Sequence, residues 1–198
     1  MFESPIFRAW LLTAVTVWAG LFYTFNDLAF LAEHWYYPVI MVLGAFVAGV
    51  TPEGGGAVAF PILNIFLNID RVLARDFSLM IQSIGMTSAS LFILTRRGTD
   101  LRTYRPLLVF IPVGFVGFVL GMHLLQTLPV HIIQALFLAL ITTFAIAYVM
   151  HEHRGDRDGL SLERPADRAM LAGVLIVGGL FASLFGTGAD IVLYTLLV

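Results

Sequence analysis

The sequence predicts an all-α fold, a polytopic bundle of membrane helices with inverted repeats in which two helices are broken at glycine-rich motifs. Of the 198 residues, 59% are hydrophobic and 12% are charged, whereas about 25% are charged in typical soluble domains. So few charges could not cover a core of this size in water, which argues against a soluble enzyme or nucleic-acid binder. The net charge of −2 gives no reason to expect a nucleic-acid partner.

Long segments without charge predict the membrane crossings. A helix needs about 20 apolar residues to cross the hydrocarbon core, and helices are expected because lipid offers backbone groups no hydrogen-bond partners. We predict full spans at about 8–26, 77–95, 106–122 and 132–150, and the start of another at 169. The first is not expected to be a cleaved signal peptide, because its apolar stretch is long and no small-residue cleavage site follows.

The arginines predict the orientation of the chain. All 11 basic residues are Arg, and eight lie in two loops. These are Arg96, Arg97, Arg102 and Arg105 in one loop, and Arg154, Arg157, Arg164 and Arg168 in the other. The positive-inside rule places both loops in the cytoplasm, together with Arg8 and the N-terminus. The turn at 121–131 and the loop at 26–37 are then external.

The segment 38–68 must begin and end on the same side for this orientation to hold. Its 31 residues would extend about 46 Å as one helix, which is long for one crossing and short for two. The sequence Thr51-Pro52-Glu53-Gly54-Gly55-Gly56 interrupts it, and proline and glycine continue a helix poorly. We therefore predict a re-entrant hairpin broken near the membrane middle. The opposite orientation, with 38–68 as one kinked span, is only slightly less consistent with the arginines.

The break has a second copy in the chain. Residues 44–56 align without gaps with residues 178–190, and in both copies an apolar helix becomes glycine-rich and then apolar again. Three full spans separate the copies, so the second hairpin is predicted to enter from the opposite side. Paired broken helices in an inverted repeat are typical of the binding site of a transporter.

The repeat also predicts the organisation of the chain. The predicted parts are an extra N-terminal helix and external loop (1–37), a first repeat (38–150), a cytoplasmic loop (151–168) and the start of a second repeat (169–198). The second copy lacks the three spans that follow the first. We therefore expect a fragment, which a symmetric partner would extend by roughly 85 residues.

Three motifs carry a resemblance to a known family. They are Glu53-Gly54-Gly55-Gly56 with Pro61, Leu184-Phe185-Gly186-Thr187-Gly188, and Ala74-Arg75-Asp76-Phe77-Ser78-Leu79 running to Thr87-Ser88. Over residues 39–198 the sequence resembles the sulfite exporter TauE/SafE family of membrane transporters. The resemblance implies transport of small sulfur-containing or organic anions across a bacterial inner membrane. The sequence departs from the family pattern at Thr51-Pro52, at Phe77 and at Asp190, which stands where a glycine is expected.

Helix starts at the two breaks supply a chemistry for anion binding. A helix start presents unpaired N–H groups and a partial positive charge, and glycine lets a ligand approach the backbone closely. The alternative is that the glycines only permit tight helix packing. The predicted substrate-binding residues are Glu53, Gly54, Gly55, Gly56, Ser78, Gln82, Gly186, Thr187, Gly188 and Asp190.

Glu53 and Asp190 are the acids that lie well inside apolar segments, where an ionisable group is costly and usually functional. Both are candidates for proton coupling, in which a proton and an anion bind together. The alternatives are structural: Asp190 as the N-cap of a half-helix that starts at Ile191, and Glu53 as a carboxylate bonded to its own helix start.

Other polar residues have simpler interpretations. On the predicted span 77–95, Ser78 and Gln82 are candidate donors to an anion, although hydrogen bonding between helices would also explain them. His151-Glu152-His153 is interpreted as a solvated loop rather than a metal site, because its spacing does not suit a helix face and no third ligand is near. Arg75 is interpreted as an interfacial anchor rather than an anion attractant.

The function predicted is therefore a secondary transporter, with facilitated export and proton-coupled uptake left open. The alternatives are a non-transporting helical scaffold or a membrane-embedded enzyme; against an enzyme, no recognised catalytic motif is present. The chain has no cysteine, so disulfides, thiolate metal sites and iron–sulfur clusters are excluded. The expected partners are the lipid bilayer and a small anion, with no cofactor, and homo-oligomerisation stays open.

Overall fold

The computed structural model of the chain describes residues 4–50, 53–95, 101–150 and 164–197. Within these ranges the backbone is helical apart from short turns. The helices are α1 (Pro5–Phe25), α2 (Leu28–Glu33), α3 (Tyr36–Val50), α4 (Gly56–Pro61), α5 (Arg71–Thr95), α6 (Leu101–Leu124), α7 (Val130–Met150), α8 (Pro165–Phe185) and α9 (Ala189–Leu197). Five of them, α1, α5, α6, α7 and α8, are long and apolar enough to cross a membrane. This confirms the predicted all-α polytopic class.

All five spanning helices begin before their predicted bounds, by two to six residues. α5 starts at Arg71 rather than at 77, and α8 starts at Pro165 rather than at 169. The prediction began these two spans just after a charged residue. Charged residues, however, enter the first turn of a helix readily when the helix is capped. At α5 the Asp70 carboxylate supplies the cap, because its Oδ2 accepts the backbone N–H groups of Val72 and Leu73 at 2.9 and 3.3 Å.

The bundle has two ends, which contacts between helices define. Gln126 lies in the turn between α6 and α7, and its Oε1 accepts from the Arg71 guanidinium at the start of α5 at 3.2 Å. We call this the Gln126 end. α5 therefore runs from the Gln126 end to the opposite one, which we call the Thr95 end after its last residue. α6 ends beside Gln126, so it runs back from the Thr95 end.

The N-terminal helix α1 lies antiparallel to α5. The Phe7 ring packs edge-on against Phe92, with centroids 5.4 Å apart. One turn further, the Trp10 indole N–H donates to Ser88 Oγ at 2.9 Å. α1 therefore starts at the Thr95 end, and the chain reaches α3 at the Gln126 end.

α3 and α4 form a first hairpin, which enters from the Gln126 end. There Tyr37 packs against Phe77 of α5, with ring centroids 4.8 Å apart. The chain runs inward past Gly44, which lies against the backbone of the first glycine break, and α4 turns back. A wider, π-helical turn (Ile62–Phe66) extends α4, and the Asn64 Oδ1 in this turn accepts from Gln134 Nε2 near the start of α7 at 2.9 Å.

α8 and α9 form a second hairpin of opposite direction. α8 reaches the Gln126 end, where its Ser183 carbonyl accepts from Gln126 Nε2 at 3.2 Å. After the break, α9 returns toward the Thr95 end, because Tyr194 packs against Phe144 in the later part of α7, with centroids 5.4 Å apart. The two hairpins therefore enter the bundle from opposite ends, which is the opposed arrangement that the repeat predicts.

Two kinds of packing hold the hairpins in place. The rings of Phe60, Phe137 and Phe185, which we call the aromatic cluster, join α4, α7 and α8 with centroids 5.2 to 5.6 Å apart. All three are buried. α6 and α8 instead approach through glycine, since a Cβ on Gly117 or Gly179 would overlap the backbone of the other helix. Close approach of this kind is how small residues pack helices in lipid.

Candidate functional site

The two glycine-rich breaks meet beside α5. Gly54 lies against the Gln82 side chain, and Gly186 lies against the α5 backbone at Arg75 and Leu79. We call this meeting point the junction. Its members are the two breaks and the side chains that touch them, namely Gly54–Gly56, Ser78, Gln82 and Gly186–Asp190. The structure therefore brings these predicted binding residues together, and Glu53, which directly precedes Gly54, lies at their edge.

The two breaks begin at different depths along α5, whereas the sequence predicted a break near the membrane middle for the first hairpin and no depth for the second. Gln82 is close to the centre of this 25-residue helix. Arg75 and Leu79 precede it by three to seven residues, so the second break begins about 5 to 10 Å nearer the Gln126 end. The reason is length, because α8 has 21 residues before its break and α3 has 15.

The first break needs glycine for space. Gly55 has an ordinary right-handed backbone, with φ −59°. A Cβ on Gly54 would lie 2.7 Å from Gln82 Cδ and 2.9 Å from Asp190 Oδ2. A Cβ on Gly56 would lie 3.0 Å from the Gly186 carbonyl oxygen. The glycines therefore allow the second break and α5 to approach this segment closely.

The second break needs glycine for its backbone conformation. Gly186 ends α8 in the left-handed region at φ 78°, and its N–H donates to the Ala182 carbonyl at 2.9 Å. Gly188 has φ 135°. Side chains on L-residues disfavour both values, and a left-handed glycine is a common helix ending.

The Asp190 carboxylate joins the two breaks. Its Oδ2 accepts from the Gly54 N–H at 2.6 Å and from Gln82 Nε2 at 3.1 Å. Its Oδ1 accepts from the Gly188 N–H at 3.0 Å and from the Thr187 hydroxyl at 3.3 Å. Each carboxylate oxygen therefore receives two donors, and three of the four hydrogen bonds use donors within the glycine breaks themselves.

Asp190 is not the N-cap that one interpretation of the sequence expected. α9 starts at Ala189 rather than at Ile191, so Asp190 lies inside the first turn. Its carboxylate bonds to the N–H of Gly188, which precedes it, and reaches across to the first break. An N-cap side chain would instead accept from N–H groups that follow it.

The hydrogen bond made by the Gln82 side-chain nitrogen fixes the orientation of its amide group. Nε2 donates to the Asp190 carboxylate, and the reversed amide would set two acceptor oxygens against each other. Its Oε1 is buried and accepts no hydrogen bond from the described residues. It lies where a Cβ on Gly56 would approach to 2.7 Å. Gln82 therefore presents both a donor and an acceptor to the junction.

Ser78 and Glu53 occupy the edges of the junction. Ser78 is fully buried between Gly56 and Gly186, but its hydroxyl donates to the Ala74 carbonyl one turn earlier at 2.8 Å. Glu53 is partly exposed and has a buried Oε1. Glu53 directly precedes Gly54, whose N–H donates to the Asp190 carboxylate. The two predicted proton-coupling candidates are therefore neighbours in space.

A polar cluster next to the junction was missed at the sequence level. Arg71 and Arg75 are only 9% and 6% exposed, and both donate to Gln126 Oε1, at 3.2 and 2.8 Å. Arg75 also pairs with Asp76 at 2.7 Å. The Arg75 guanidinium is therefore buried against the turn between α6 and α7, and its role as an interfacial anchor stays a prediction. The signal was Gln126 itself, an amide in a long uncharged segment.

Some predicted features lie outside the described residues. These are Thr51-Pro52, the loop with Arg96 and Arg97, and the His151-Glu152-His153 motif. Within the part of the chain that the structure describes, no group of three or more His, Asp or Glu side chains is placed to hold a metal ion. Ser83 and Thr87, on the same helix as Gln82, point away from the junction and are exposed.

Four donors converge on one carboxylate group between the two helix breaks. Backbone N–H groups at such breaks are the usual protein donors to anions.

Comparison with known proteins identifies a family. A family model described as Sulfite exporter TauE/SafE matches residues 37–198. The match includes both hairpins and the junction and begins after α1 and α2. No curated protein and no solved structure matches the chain.

Proposed function

The chain belongs to the sulfite exporter TauE/SafE family of membrane transporters, and we propose that it carries small sulfur-containing or organic anions, such as sulfite or sulfonates, out across a bacterial inner membrane. The observation that supports this proposal is the junction. There, donors from both breaks already surround one carboxylate, through the N–H groups of Gly54 and Gly188.

The chemistry of the junction fits such a substrate. Sulfite, sulfonates and carboxylates each present several oxygens with delocalised negative charge, and these accept the same donors that hold Asp190. Because the junction lies among apolar helices, the electrostatic attraction of those donors is stronger than it would be in water. The opposite directions of the two hairpins support alternating access of the junction from the two ends of the bundle.

Export needs no coupling ion in a cell with a negative interior. Moving one negative charge outward releases about 2.3 kcal/mol per 100 mV, and a divalent anion releases twice that. The neighbouring acidic residues Glu53 and Asp190 favour a second mode, in which a proton is taken up with the anion. Proton-coupled transport would then drive uptake rather than export.

The test is flux in proteoliposomes that contain the purified chain. Labelled sulfite and sulfoacetate are loaded inside, a potassium gradient with valinomycin sets the potential, and efflux is followed with time. We expect efflux that accelerates when the interior is negative. Efflux no faster than from protein-free liposomes at every potential contradicts the proposal.

Matched glycine variants connect the flux to the junction. Gly54→Ala places a methyl group against Gln82 and Asp190, so efflux should fall by at least about tenfold, as expected when a contact to a charged ligand is lost. Gly85→Ala on α5 is the control, because a Cβ there meets nothing within 4 Å. Equal efflux from both variants places the transport pathway elsewhere.

The variant Glu53→Gln then separates facilitated export from proton-coupled transport, since only the proton-coupled mode loses the pH dependence of its flux.

A further inference from the structure

We propose that Asp190 is a tethered occupant of the anion site, which the transported anion must displace in order to bind. This inference rests on the proposed function and adds to it a competition between the Asp190 carboxylate and the transported anion for the same donors. Its basis is the set of four hydrogen bonds from Gly54, Gln82, Gly188 and Thr187 to the Asp190 carboxylate.

The donors of the junction cannot serve Asp190 and a free anion together. The two backbone donors, on Gly54 and Gly188, each have one hydrogen, and those hydrogens already point at the carboxylate at 2.6 and 3.0 Å. A free anion that bound to these two N–H groups would have to lie within hydrogen-bond distance of them. It would therefore lie directly against the carboxylate oxygens that already occupy that position. Like charges at such a separation repel strongly where water is scarce. Binding is therefore an exchange of one anion for another.

The internal repeat has a carboxylate at the position of Asp190 in only one of its two copies. Gly56 aligns with Asp190 in the two copies, and it carries no side chain at the corresponding position. The first break thus supplies a donor, through Gly54, and the second break supplies both donors and the acceptor. A glycine at 190 would make the two breaks alike and leave the donors open.

The attachment of Asp190 sets the strength of the competition. Asp190 lies in the first turn of α9, two residues after Gly188, so its carboxylate is always near its donors. A ligand on a short tether competes as if it were present at millimolar concentration or above. The transported anion must therefore be abundant or must be held by further contacts.

The experiment measures binding of sulfite and methanesulfonate to the purified full chain in lipid nanodiscs by isothermal titration calorimetry. The variants are Asp190→Gly, which removes the occupant, and Asp190→Asn, which keeps its size without the charge. We expect the dissociation constant to fall by at least about tenfold in Asp190→Gly, because the tethered competitor is gone, and to fall less in Asp190→Asn. Asp27→Asn removes a distant, exposed carboxylate and should leave the constant within about twofold of the wild type.

The outcomes separate the inference from the function on which it rests. Binding to the wild type with equal or weaker binding to a folded Asp190 variant overturns the inference and leaves the proposed function standing. No binding to the wild type or to any folded variant overturns both. If neither Asp190 variant folds, the inference is tested on the wild-type chain labelled with 13C-aspartate, by infrared difference spectra recorded with and without sulfite. Saturating sulfite should shift one carboxylate band, and an unchanged spectrum contradicts displacement.

Discussion

The two breaks have similar compositions but use their glycines for different physical reasons. In the first break, Gly55 has a right-handed backbone, and the glycines are needed because α5 and the second break approach within contact distance. In the second break, Gly186 and Gly188 have positive φ, which side chains disfavour whatever the space around them. A glycine-rich motif therefore does not by itself reveal whether space or conformation selected it.

The breaks also differ in what they give to the junction. The first break contributes a donor that Asp190 uses, the Gly54 N–H. The second break contributes two donors and the acceptor, on Gly188, Thr187 and Asp190. The positive φ of Gly186 and Gly188 predicts that replacing either of these glycines chiefly changes folding, whereas replacing Gly54 chiefly changes binding.

The largest expected effect is that of Gly186→Ala. A left-handed backbone costs an L-residue about 1 to 2 kcal/mol, and a clash in a packed interior costs about 1 to 3 kcal/mol more. Its Cβ would lie 2.5 Å from the Arg75 carbonyl oxygen and 2.7 Å from Ser78 Cβ. We expect a clear loss of thermal stability in detergent, which thermal melts monitored by tryptophan fluorescence measure. Gly173→Ala on the same helix is the control, because a Cβ there meets nothing within 4 Å. Equal melting temperatures of the two variants would refute a conformational need for glycine at 186.

A smaller loss of stability is expected for Gly54→Ala. The atoms in the way belong to the movable side chains of Gln82 and Asp190, so the cost should be about 1 kcal/mol, at the low end for overpacking. The double variant Gly54→Ala/Gln82→Ala should recover part of that loss, because the second change removes the obstacle. Thermal melts of the two single variants and the double variant measure this coupling. Strict additivity would show that Gln82 is not what the methyl group meets.

The smallest effect is expected for Thr187→Val, which keeps the shape of a buried side chain and removes one hydroxyl. The hydrogen bond from that hydroxyl to Asp190 Oδ1 is 3.3 Å long, so its loss should cost about 0.5 to 1 kcal/mol. Thr143→Val, whose hydroxyl is exposed and bonds within its own helix, is the comparison and should change less. A loss of stability that exceeds that of Gly54→Ala would reverse the expected order of these two variants.

Much of the fold follows from local patterns in the sequence. The uncharged segments identify the spans because lipid penalises charge over a fixed length, and the repeated glycine motifs mark where helices stop. The odd number of spans between the motifs gives the opposite directions of the hairpins. The start of α5 was missed because the prediction treated Asp76 as a boundary, whereas the helix begins at Arg71, whose side chain is buried against Gln126.

The membership of the site was predictable, but its internal bonding was not. Glycine motifs and intramembrane polar residues identify the residues of the junction, since each is costly among lipids unless it is used. The bond between Gly54 and Asp190 joins residues 136 positions apart, and it exists only because two hairpins from opposite ends meet. Local rules for a helix start suggested an N-cap for Asp190, and tertiary structure gave its carboxylate a different partner.

The aromatic cluster has a consequence for hydration. Phe60 follows the first break and Phe185 precedes the second, and these two buried rings pack with Phe137 between α4, α7 and α8. Tightly packed rings exclude water, and a dry constriction passes ions only after it is wetted. Water and dissolved ions can therefore pass between α4, α7 and α8 at this cluster only after those rings separate.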